Sequence, residues 1–478
     1  MQALERLKRW AKKHDSWQVR YASLLVAALA VRLAGITRHP LWYDEAFSAR
    51  VATLPPVQIV WMDLHPPLWH LLEWLVTHTL GSSELALRLP GAVFGALVVA
   101  EFYLLVRALA GEREALWAAG LLTIMPAQIN FAQDARMYSL LTLFVVVAAR
   151  AMHEKRWARF WLASALMLYT HNIGVIYLAA IGLLAVIKDW RAGIAALVKV
   201  GVVWLPWAAV LVIQLANEAH SQWIIPPDVA RVLFFYPLYT TFFVTVPPDA
   251  QWLVVPVSYV LTVLSVYGLL RHARQLALLF ALAFGSLVIL SLVSLAWRSL
   301  MIPRVMLPAG TALAALWGVF LARQAGVRRH FALALLATAL GVSLVALYSA
   351  PDEEQQPFGT YAELVADGYR AGDAVYALDA HSYTLFYYYD RGRFPLYLLP
   401  TPGETQADSV ASRETRQATL RHLRQAGFQR VWLLWSDRAY PPDSTTQAEL
   451  SLDTARILGV YMLTGKYGQT YRVLLIAP

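Results

Sequence analysis

The sequence contains no cysteine and little charge. Without cysteine among its 478 residues, the chain has no disulfide framework, no thiolate metal site and no thiol nucleophile. Charged residues make up only 15% of the chain, whereas 58% of the residues are hydrophobic and the mean hydropathy is +0.48. A chain with so little charge cannot be one soluble globule with a solvated surface. We therefore predict a polytopic α-helical membrane protein.

The sequence also lacks a single basic patch, although its formal net charge is +9. Its Lys and Arg residues are spread over short loops between apolar runs, which is the pattern of cytoplasmic loops. We therefore interpret the charge as a sign of topology and exclude nucleic acid as a partner. The basic segment 1–20 is expected to lie along the cytoplasmic surface, and an uncleaved helix is predicted over residues 17–36.

The apolar run 66–80 is predicted not to span the membrane. It is shorter than the ~20 residues of a span, and it contains His70, Glu73 and His78. When this run is excluded, the basic loops fall on the same side as the basic N-terminus. Residues 37–83 then form a long first outer loop with one or two interfacial helices, and 217–250 form a second outer loop. We predict about eleven spans, at 17–36, 84–106, 115–130, 138–150, 157–171, 173–187, 194–215, 252–270, 276–297, 305–322 and 331–348.

The composition changes after Tyr348. A polar hinge at 351–357 precedes short β-rich runs and a helical pattern at 413–426. We predict a transmembrane domain over 1–349 and a soluble α/β domain over 350–478, which an odd number of spans places on the extracytoplasmic side. No phosphate-cradling glycine-rich loop occurs in the second domain, so no chemistry is assigned to it. The predicted strands are at 374–378, 395–399, 431–435 and 471–476.

Two adjacent carboxylates, Asp44 and Glu45, follow the first apolar segment. Trp42 and Tyr43 precede them and suit the membrane–water interface, where amphipathic rings settle. Asp44 is therefore expected near headgroup depth, where a base could meet a lipid-borne substrate. The alternative is a solvated loop at the mouth of a helix. The interfacial neighbours favour catalysis, with Asp44 as the candidate base.

A second charged cluster lies in the stretch 130–139 and contains Asp134. The predicted topology puts this stretch on the same face of the membrane as Asp44. Ionisable groups at membrane depth are costly and tend to mark function. The alternative is an interfacial helix start, where the helix dipole favours Asp134. Together with the loop around His65, the two clusters are expected to form one pocket.

These residues resemble a known family. The motifs that carry the resemblance are WYDEA at 42–46, HPPLW at 65–69, RLP at 88–90, QDARMY at 133–138 and PRVMLP at 303–308. In this order and spacing they are similar to the bacterial members of the protein O-mannosyltransferase and aminoarabinose-lipid A transferase group, which are glycosyltransferases of the C superfamily. The resemblance covers the membrane region from residue 17 to about residue 322, and the outer domain fits the layout of many members.

The resemblance implies sugar transfer from a polyprenyl-phosphate donor. In that family an acidic residue of the first outer loop is essential, and a second acidic residue lies at the outer start of the fourth span. The matching catalytic positions are Asp44, with Glu45, and Asp134. His65 stands where some relatives have Lys, so the group that meets the donor phosphate differs here. Some members carry a divalent metal; this chain has no tight spacing of His and carboxylates, and the sequence leaves a metal open.

The reaction indicates which other residues should bind the substrate. A sugar phosphate already has an activated leaving group, so the enzyme needs a base, cations for the phosphate and a site away from bulk water. Arg136 and Arg304, at outer helix ends, are the candidate cations, because a guanidinium binds phosphate bidentately. The alternative for each is a snorkelling arginine, and for His171 it is a structural helix end. The full predicted substrate-binding set is His65, Gln133, Arg136, Tyr138, His171 and Arg304.

The predicted function is transfer of a hexosyl or pentosyl group to a lipid, glycan or protein acceptor at the outer face of the plasma membrane. One alternative is a transporter or flippase of lipid-linked sugars. Internal repeats and paired broken midplane helices would indicate it, and we find neither. Another alternative is a membrane-anchored binding protein, which needs only one anchoring helix. We therefore predict an integral cell-envelope enzyme with a cytoplasmic N-terminus.

Overall fold

The computed structural model describes residues 16–216, 224, 227–228, 236, 241–242, 248–349, 358–378, 380–398, 425, 427–436, 456–464 and 470–477. Four predictions lie wholly or largely outside these residues: the surface segment preceding residue 16, the second outer loop, the hinge at 351–357 and the helix at 413–426. The chain divides into two compact units. Unit 1 comprises Met1–Ile36, Ile59–Leu72 and Leu85–Ser349, and unit 2 comprises Thr37–Gln58, Glu73–Glu84 and Ala350–Pro478. Much of the predicted outer loop thus groups with the C-terminal residues.

Most of the described chain is helical, and every apolar run that was predicted to be a helix contains one. A π-helical turn at Ala281–Gly285 joins α13 to α14, and 3₁₀ turns at Leu270–His272 and Pro303–Met306 follow α12 and precede α15. The α-helices are α1 (Trp17–Leu33), α2 (Tyr43–Val51), α3 (Pro56–Met62), α4 (Leu68–Leu80), α5 (Glu84–Ala110), α6 (Glu112–Thr123), α7 (Pro126–Ala132), α8 (Tyr138–His153), α9 (Trp157–Thr170), α10 (Gly174–Lys188), α11 (Trp190–Ala216), α12 (Pro248–Leu269), α13 (Ala277–Phe280), α14 (Ser286–Ala296), α15 (Leu307–Arg323), α16 (Gly326–Ser349), α17 (Phe358–Gly368) and α18 (Ala380–Asp390).

Among the described residues, six helical segments are long and apolar enough to cross a membrane. The bent pair α6 and α7 would make a seventh, and α8 and α10 are shorter apolar helices. The predicted total of about eleven spans is therefore not confirmed and stays a prediction. The 13-residue helix α4 is not among the six, in line with the prediction for 66–80. The six segments are Glu84–Ala110, Trp190–Leu215, Trp252–His272, Ala277–Ala296, Pro303–Arg323 and Gly326–Ser349.

The single helix predicted over 115–130 is instead two helices, α6 and α7, bent by 59° at Pro126. Proline has no N–H for the helical ladder, and its ring clashes with the preceding turn. The Thr123 hydroxyl donates to the Ala119 carbonyl at 2.8 Å, which closes α6 just before the bend. The apolar pattern runs through this point without a change, so the pattern did not predict the bend.

The predicted first outer loop, residues 37–83, carries three helices, α2, α3 and α4, where one or two were predicted. Proline marks two of the three starts. Pro56 is the first residue of α3, and Pro66 and Pro67 immediately precede α4. The fixed φ of proline favours the first turn of a helix, where its missing N–H costs nothing.

Helix α15 forms the core of unit 1, with its apolar stretch completely buried. At Gly318 an added Cβ would lie 2.4 Å from the Cα of Ala118. The backbones of α15 and α6 therefore touch, which small residues permit in membrane helix pairs. Because Arg304 lies in the 3₁₀ turn just before α15, this central packing also fixes the position of Arg304.

The described residues of unit 2 form a five-stranded sheet in the order β2-β1-β3-β5-β4. Strand β1 is parallel to β2 and to β3, whereas β5 is antiparallel to β3 and to β4. Four strands match the predictions, and β4 was missed because Gly459 interrupts its apolar run at a register shift after Ile457. The strands are β1 (Ala374–Ala377), β2 (Leu396–Leu398), β3 (Val431–Ser436), β4 (Arg456–Thr464) and β5 (Thr470–Ala477).

Candidate functional site

The segment between α7 and α8 carries Gln133 and Asp134 and is tied to two other helices of unit 1. The Gln133 amide donates to the carbonyls of Arg32 and Ala34, at 2.9 and 2.8 Å, which fixes the segment against the end of α1. On α5, an added Cβ at Gly91 would lie 2.7 Å from the Asp134 carbonyl oxygen. Only glycine allows this approach without a shift. Gln133 is thus buried as a structural clamp, while Asp134 is partly exposed.

The same segment positions Arg136 and Tyr138 at the start of α8. Both side chains are buried, at 3% and 1% exposed. The Trp69 indole of α4 donates to the Ala135 carbonyl at 3.3 Å, and the Tyr138 ring packs edge-on against Phe131 at 5.7 Å. The short helix α4 therefore anchors the loop that precedes α8.

His171 lies in the turn between α9 and α10 and is the centre of the polar cluster in unit 1. Its Nδ1 accepts a hydrogen bond from the backbone N–H of Ile173 at 3.1 Å, so a neutral ring carries its proton on Nε2. The His65 ring lies edge-on to it at 4.8 Å between centroids, and the Tyr138 ring lies at 6.0 Å. Three predicted substrate-binding residues from three separate segments therefore meet here.

Arg304 reaches the cluster from the 3₁₀ turn before α15. The turn is held by Tyr177 of α10, whose hydroxyl donates to the Val305 carbonyl at 2.7 Å. Gln128 of α7 donates to the Leu307 carbonyl and to the Thr311 hydroxyl, at 3.2 and 2.8 Å. The position of Arg304 is therefore set by buried hydrogen bonds, and the residue as a whole is only partly buried.

The basic side chains of the cluster influence the ionisation of His171. Its pKa lies well below the usual value, first because the ring is buried and then because of His65, Arg136 and Arg304, while Asp63 opposes them. Two guanidiniums and an imidazole in one cluster are an arrangement that attracts an anion.

Sequence reasoning missed Asp63, which organises this cluster. Its carboxylate accepts from His65 Nδ1 at 2.9 and 3.0 Å and from His70 Nε2 at 2.9 Å. Burial raises the pKa of Asp63, but the two imidazoles outweigh burial and hold that pKa well below its usual range. The available signal was the spacing, since Asp63 precedes His65 by two residues and His70 by seven. In the sequence, His70 indicates only that the run 66–80 does not span the membrane.

Side-chain hydrogen bonds from other segments hold the backbone around Asp63. Asn172 donates to the Leu64 carbonyl at 2.7 Å and accepts from the Trp207 indole at 2.8 Å. Gln214 of α11 donates to the Asp63 carbonyl at 3.0 Å. The helix end at Asn172 thus fixes the loop that carries His65.

The carboxylates Asp44 and Glu45 lie in unit 2, in the first turn of α2. Glu45 is completely buried, and it accepts from the Trp42 backbone N–H at 3.3 Å, which caps the helix. Asp44 is only partly buried. The Tyr389 hydroxyl of α18 accepts from the Leu41 N–H at 2.5 Å and donates to Glu84 at 2.9 Å. The C-terminal helix α18 therefore holds the chain three residues before Asp44.

Over the described ranges, no three His, Asp or Glu side chains are placed to ligate one metal ion. Asp63, His65 and His70 come together, but they direct their polar atoms at one another in hydrogen bonds.

Acid is expected to destabilise the protein through His171. In the folded chain the pKa of His171 lies below its ordinary value. Below about pH 6.5 the unfolded chain therefore binds a proton that the folded chain does not, and the free energy of unfolding falls by up to ~1.4 kcal/mol per pH unit. Asp63 adds to this loss only at lower pH, as the pH falls through its depressed pKa. Thermal unfolding midpoints between about pH 7 and pH 5 measure the slope. His171→Gln should flatten it, and the exposed His78→Gln should not. Parallel profiles for wild type and His171→Gln would contradict the burial argument.

The chain is similar to known glycosyltransferases. Residues 64–216 match the family described as dolichyl-phosphate-mannose-protein mannosyltransferase, a range that contains His65, Asp134 and His171. No curated protein matches the chain in sequence. Among solved structures, apo ArnT from Cupriavidus metallidurans is 16% identical with a TM-score of 0.63, over 96% of this chain and 98% of that chain. ArnT bound to undecaprenyl phosphate is 15% identical with a TM-score of 0.57, over the same shares of both chains.

A third similar structure is the oligosaccharyltransferase of Archaeoglobus fulgidus in its apo form. It is 12% identical with a TM-score of 0.54, over 90% of this chain and 71% of that chain. At such identities the three structures establish the fold.

Proposed function

We propose that this chain, which has the fold of the superfamily C glycosyltransferases, transfers a sugar from a polyprenyl-phosphate donor to a lipid, glycan or protein acceptor. The predicted resemblance to that superfamily is confirmed by the family match and by the fold. The sugar is a hexosyl or pentosyl group. The observation that carries the proposal is the cluster of Arg136, Arg304, His65 and His171 in unit 1.

That cluster has the composition of a phosphate site. Two guanidiniums offer fork-shaped donors that match phosphate oxygens, and His171 can donate from Nε2. Asp63 orients His65 through Nδ1, which directs the other ring nitrogen away from the carboxylate. ArnT, which has a similar fold, binds undecaprenyl phosphate. We assign His65, Arg136, Tyr138, His171 and Arg304 to the phosphate end of the donor, with Gln133 holding their loop.

The acids have the remaining roles. Asp44 is the base that takes the proton from the acceptor hydroxyl or amine as the sugar carbon leaves the phosphate. Glu45 supports it by capping α2. Asp134 is the second acid, matching its place in the resemblance. The cations stabilise the charge that develops on the departing phosphate, which is the larger part of such catalysis.

The transporter alternative has no observation in its favour. The residues of this cluster and the loop around Asp63 are held by buried or partly buried hydrogen bonds from α7, from the turn between α9 and α10, from α10 and from α11. A site held in this way suits alignment of reacting groups. Alternating access instead needs elements with two arrangements.

A panel of polyprenyl-phosphate sugars tests the function. Purified full-length protein should release polyprenyl phosphate from at least one donor when an acceptor is present, and the released lipid is measured by mass spectrometry. Asp44→Asn is the inactive control. Uptake of intact donor into proteoliposomes, with no cleavage of any member of the panel, would instead indicate a flippase.

We further propose that the protein is an integral plasma-membrane protein with a cytoplasmic N-terminus and an extracytoplasmic C-terminal domain. The chain has no cysteine, so single cysteines can be introduced cleanly. An impermeant thiol reagent applied to intact cells should label Ser82→Cys and leave Asp189→Cys and Arg271→Cys unlabelled until the cells are opened. Ser82 and Arg271 are exposed, and Asp189 is partly exposed. Labelling of Asp189→Cys from outside would reverse the topology.

A further inference from the structure

A polar cavity lies where α8 ends and α9 begins, which is the end of α9 remote from His171. It has a volume of about 590 Å³, and helices α1, α5, α6 and α8 contribute to its wall together with the first residues before α9. Three arginines line it, Arg107, Arg150 and Arg156, together with Glu112 and Glu154. None of these residues belongs to the proposed transfer site.

Each carboxylate in this region is shared by two guanidiniums. Glu112 accepts from Arg20 and from Arg107, at 2.6 Å in each case. The same sharing occurs at Glu154, with Arg150 at 2.9 Å and Arg156 at 3.0 Å, and at Glu101, with Arg150 at 2.6 Å and Arg159 at 3.2 Å. Five arginines thus meet three glutamates. Among the described residues, the cluster therefore has an excess of positive charge.

The excess charge is presented to solvent at the mouth of the cavity. The Arg156 side chain is 61% exposed and that of Arg107 is 39% exposed. A guanidinium has five N–H donors, so one carboxylate contact leaves others available in its plane. The Arg107 guanidinium also lies over the Trp17 ring, 5.9 Å from its centroid. Tryptophan is enriched at headgroup depth, and here it stands beside the cations.

We propose that this cavity binds a phosphate-bearing anion, and that the anion is the headgroup of an anionic phospholipid. The cations match the phosphate, and the apolar wall formed by Leu104 and Ala108 suits the glycerol and first methylenes of a lipid. Basic pockets between helix ends are a known way to hold acidic headgroups. An ion-pair network without a ligand would need no net charge, and this network carries one.

Lipid retention by the full-length protein tests the proposal. Protein is reconstituted in phosphatidylcholine vesicles with or without phosphatidylglycerol, extracted, and analysed by native mass spectrometry for bound lipid. Wild type should retain phosphatidylglycerol selectively. The double variant Arg107→Gln, Arg156→Gln should bind it about 30-fold more weakly, since each arginine near an anionic surface contributes about a fivefold share. Arg271→Gln, Arg274→Gln is the matched control, with two exposed arginines outside the cavity.

A single variant tests the proposal with less disturbance of the fold. Arg156→Gln leaves Glu154 paired with Arg150, so it should fold normally and weaken retention about 5-fold, and Arg156→Lys should restore most of it. A second arm adds inorganic phosphate to lipid-free protein. Protection from heat by phosphate, lost in the double variant, with no selectivity for phosphatidylglycerol, would support the anion site with free phosphate as its source. Equal retention by wild type and both double variants, without a phosphate effect, would overturn the proposal.

Discussion

Asp44→Asn is expected to lower sugar transfer about 10²- to 10⁴-fold, the usual share of general-base catalysis. The amide keeps the size of the side chain and removes the basic oxygen. Asp44 is partly exposed, whereas its neighbour Glu45 is completely buried. Expression and donor binding should therefore remain close to those of wild type. The measurement is the transfer rate of matched amounts of folded protein at saturating donor.

Glu45→Gln is the control for that experiment. The glutamine oxygen can still accept from the Trp42 N–H, which is the contact that Glu45 makes at the start of α2. We expect a smaller loss of turnover, of about the 0.5–1.5 kcal/mol that a neutral hydrogen bond contributes. Near-normal transfer by Asp44→Asn would reject Asp44 as the base. A larger loss in Glu45→Gln would assign the role to Glu45 instead.

The second large effect is expected at the two arginines. Arg136→Ala and Arg304→Ala should each weaken binding of a polyprenyl-phosphate sugar about 10- to 100-fold, because a charge-assisted hydrogen bond contributes about 1.5–3 kcal/mol. Lysine at either position should recover only part of the affinity, since an ammonium lacks the fork geometry. Equilibrium binding of the donor by purified protein gives the dissociation constants.

Arg298→Ala is the matched control for these arginines. Arg298 lies over the Trp297 ring, 5.8 Å from its centroid, six residues before Arg304, and it is not among the main influences on the pKa of His171. Its removal should leave donor affinity unchanged. If Arg136→Ala and Arg304→Ala also bind donor normally, both are snorkelling arginines. A fall in the unfolding midpoint without a fall in affinity would assign Arg136 a structural role.

The sequence predicted several residues of the polar cluster around His171 without predicting the contacts between them. The motifs around His65, Arg136 and Arg304 pointed to a phosphate site, and the structure brings all three to His171. The sequence does not predict the role of Asp63, because a carboxylate two residues from a histidine has no fixed geometry in a loop. Its role depends on His70, one turn into α4, and on Gln214 in α11.

The structure shows a structural contact for Gln133. The sequence predicts that it binds substrate, whereas its side-chain amide donates hydrogen bonds to the carbonyls of Arg32 and Ala34. Sequence pattern does not separate a ligand-binding amide from one that satisfies buried backbone groups. Both are polar residues within an apolar segment, and only the identity of the nearest acceptor distinguishes them.

The sequence by itself determined the membrane class, the helical runs, four of the strands and the motifs, because composition and apolar period are local properties. The tertiary structure alone decided the bend at Pro126, the strand β4, and the grouping of α2 with α18 through Tyr389. These depend on contacts between residues far apart in the chain, such as Leu41 with Tyr389 or Gly91 with Asp134. Close packing and buried hydrogen bonds select such pairs, and neither has a period that can be read along a sequence.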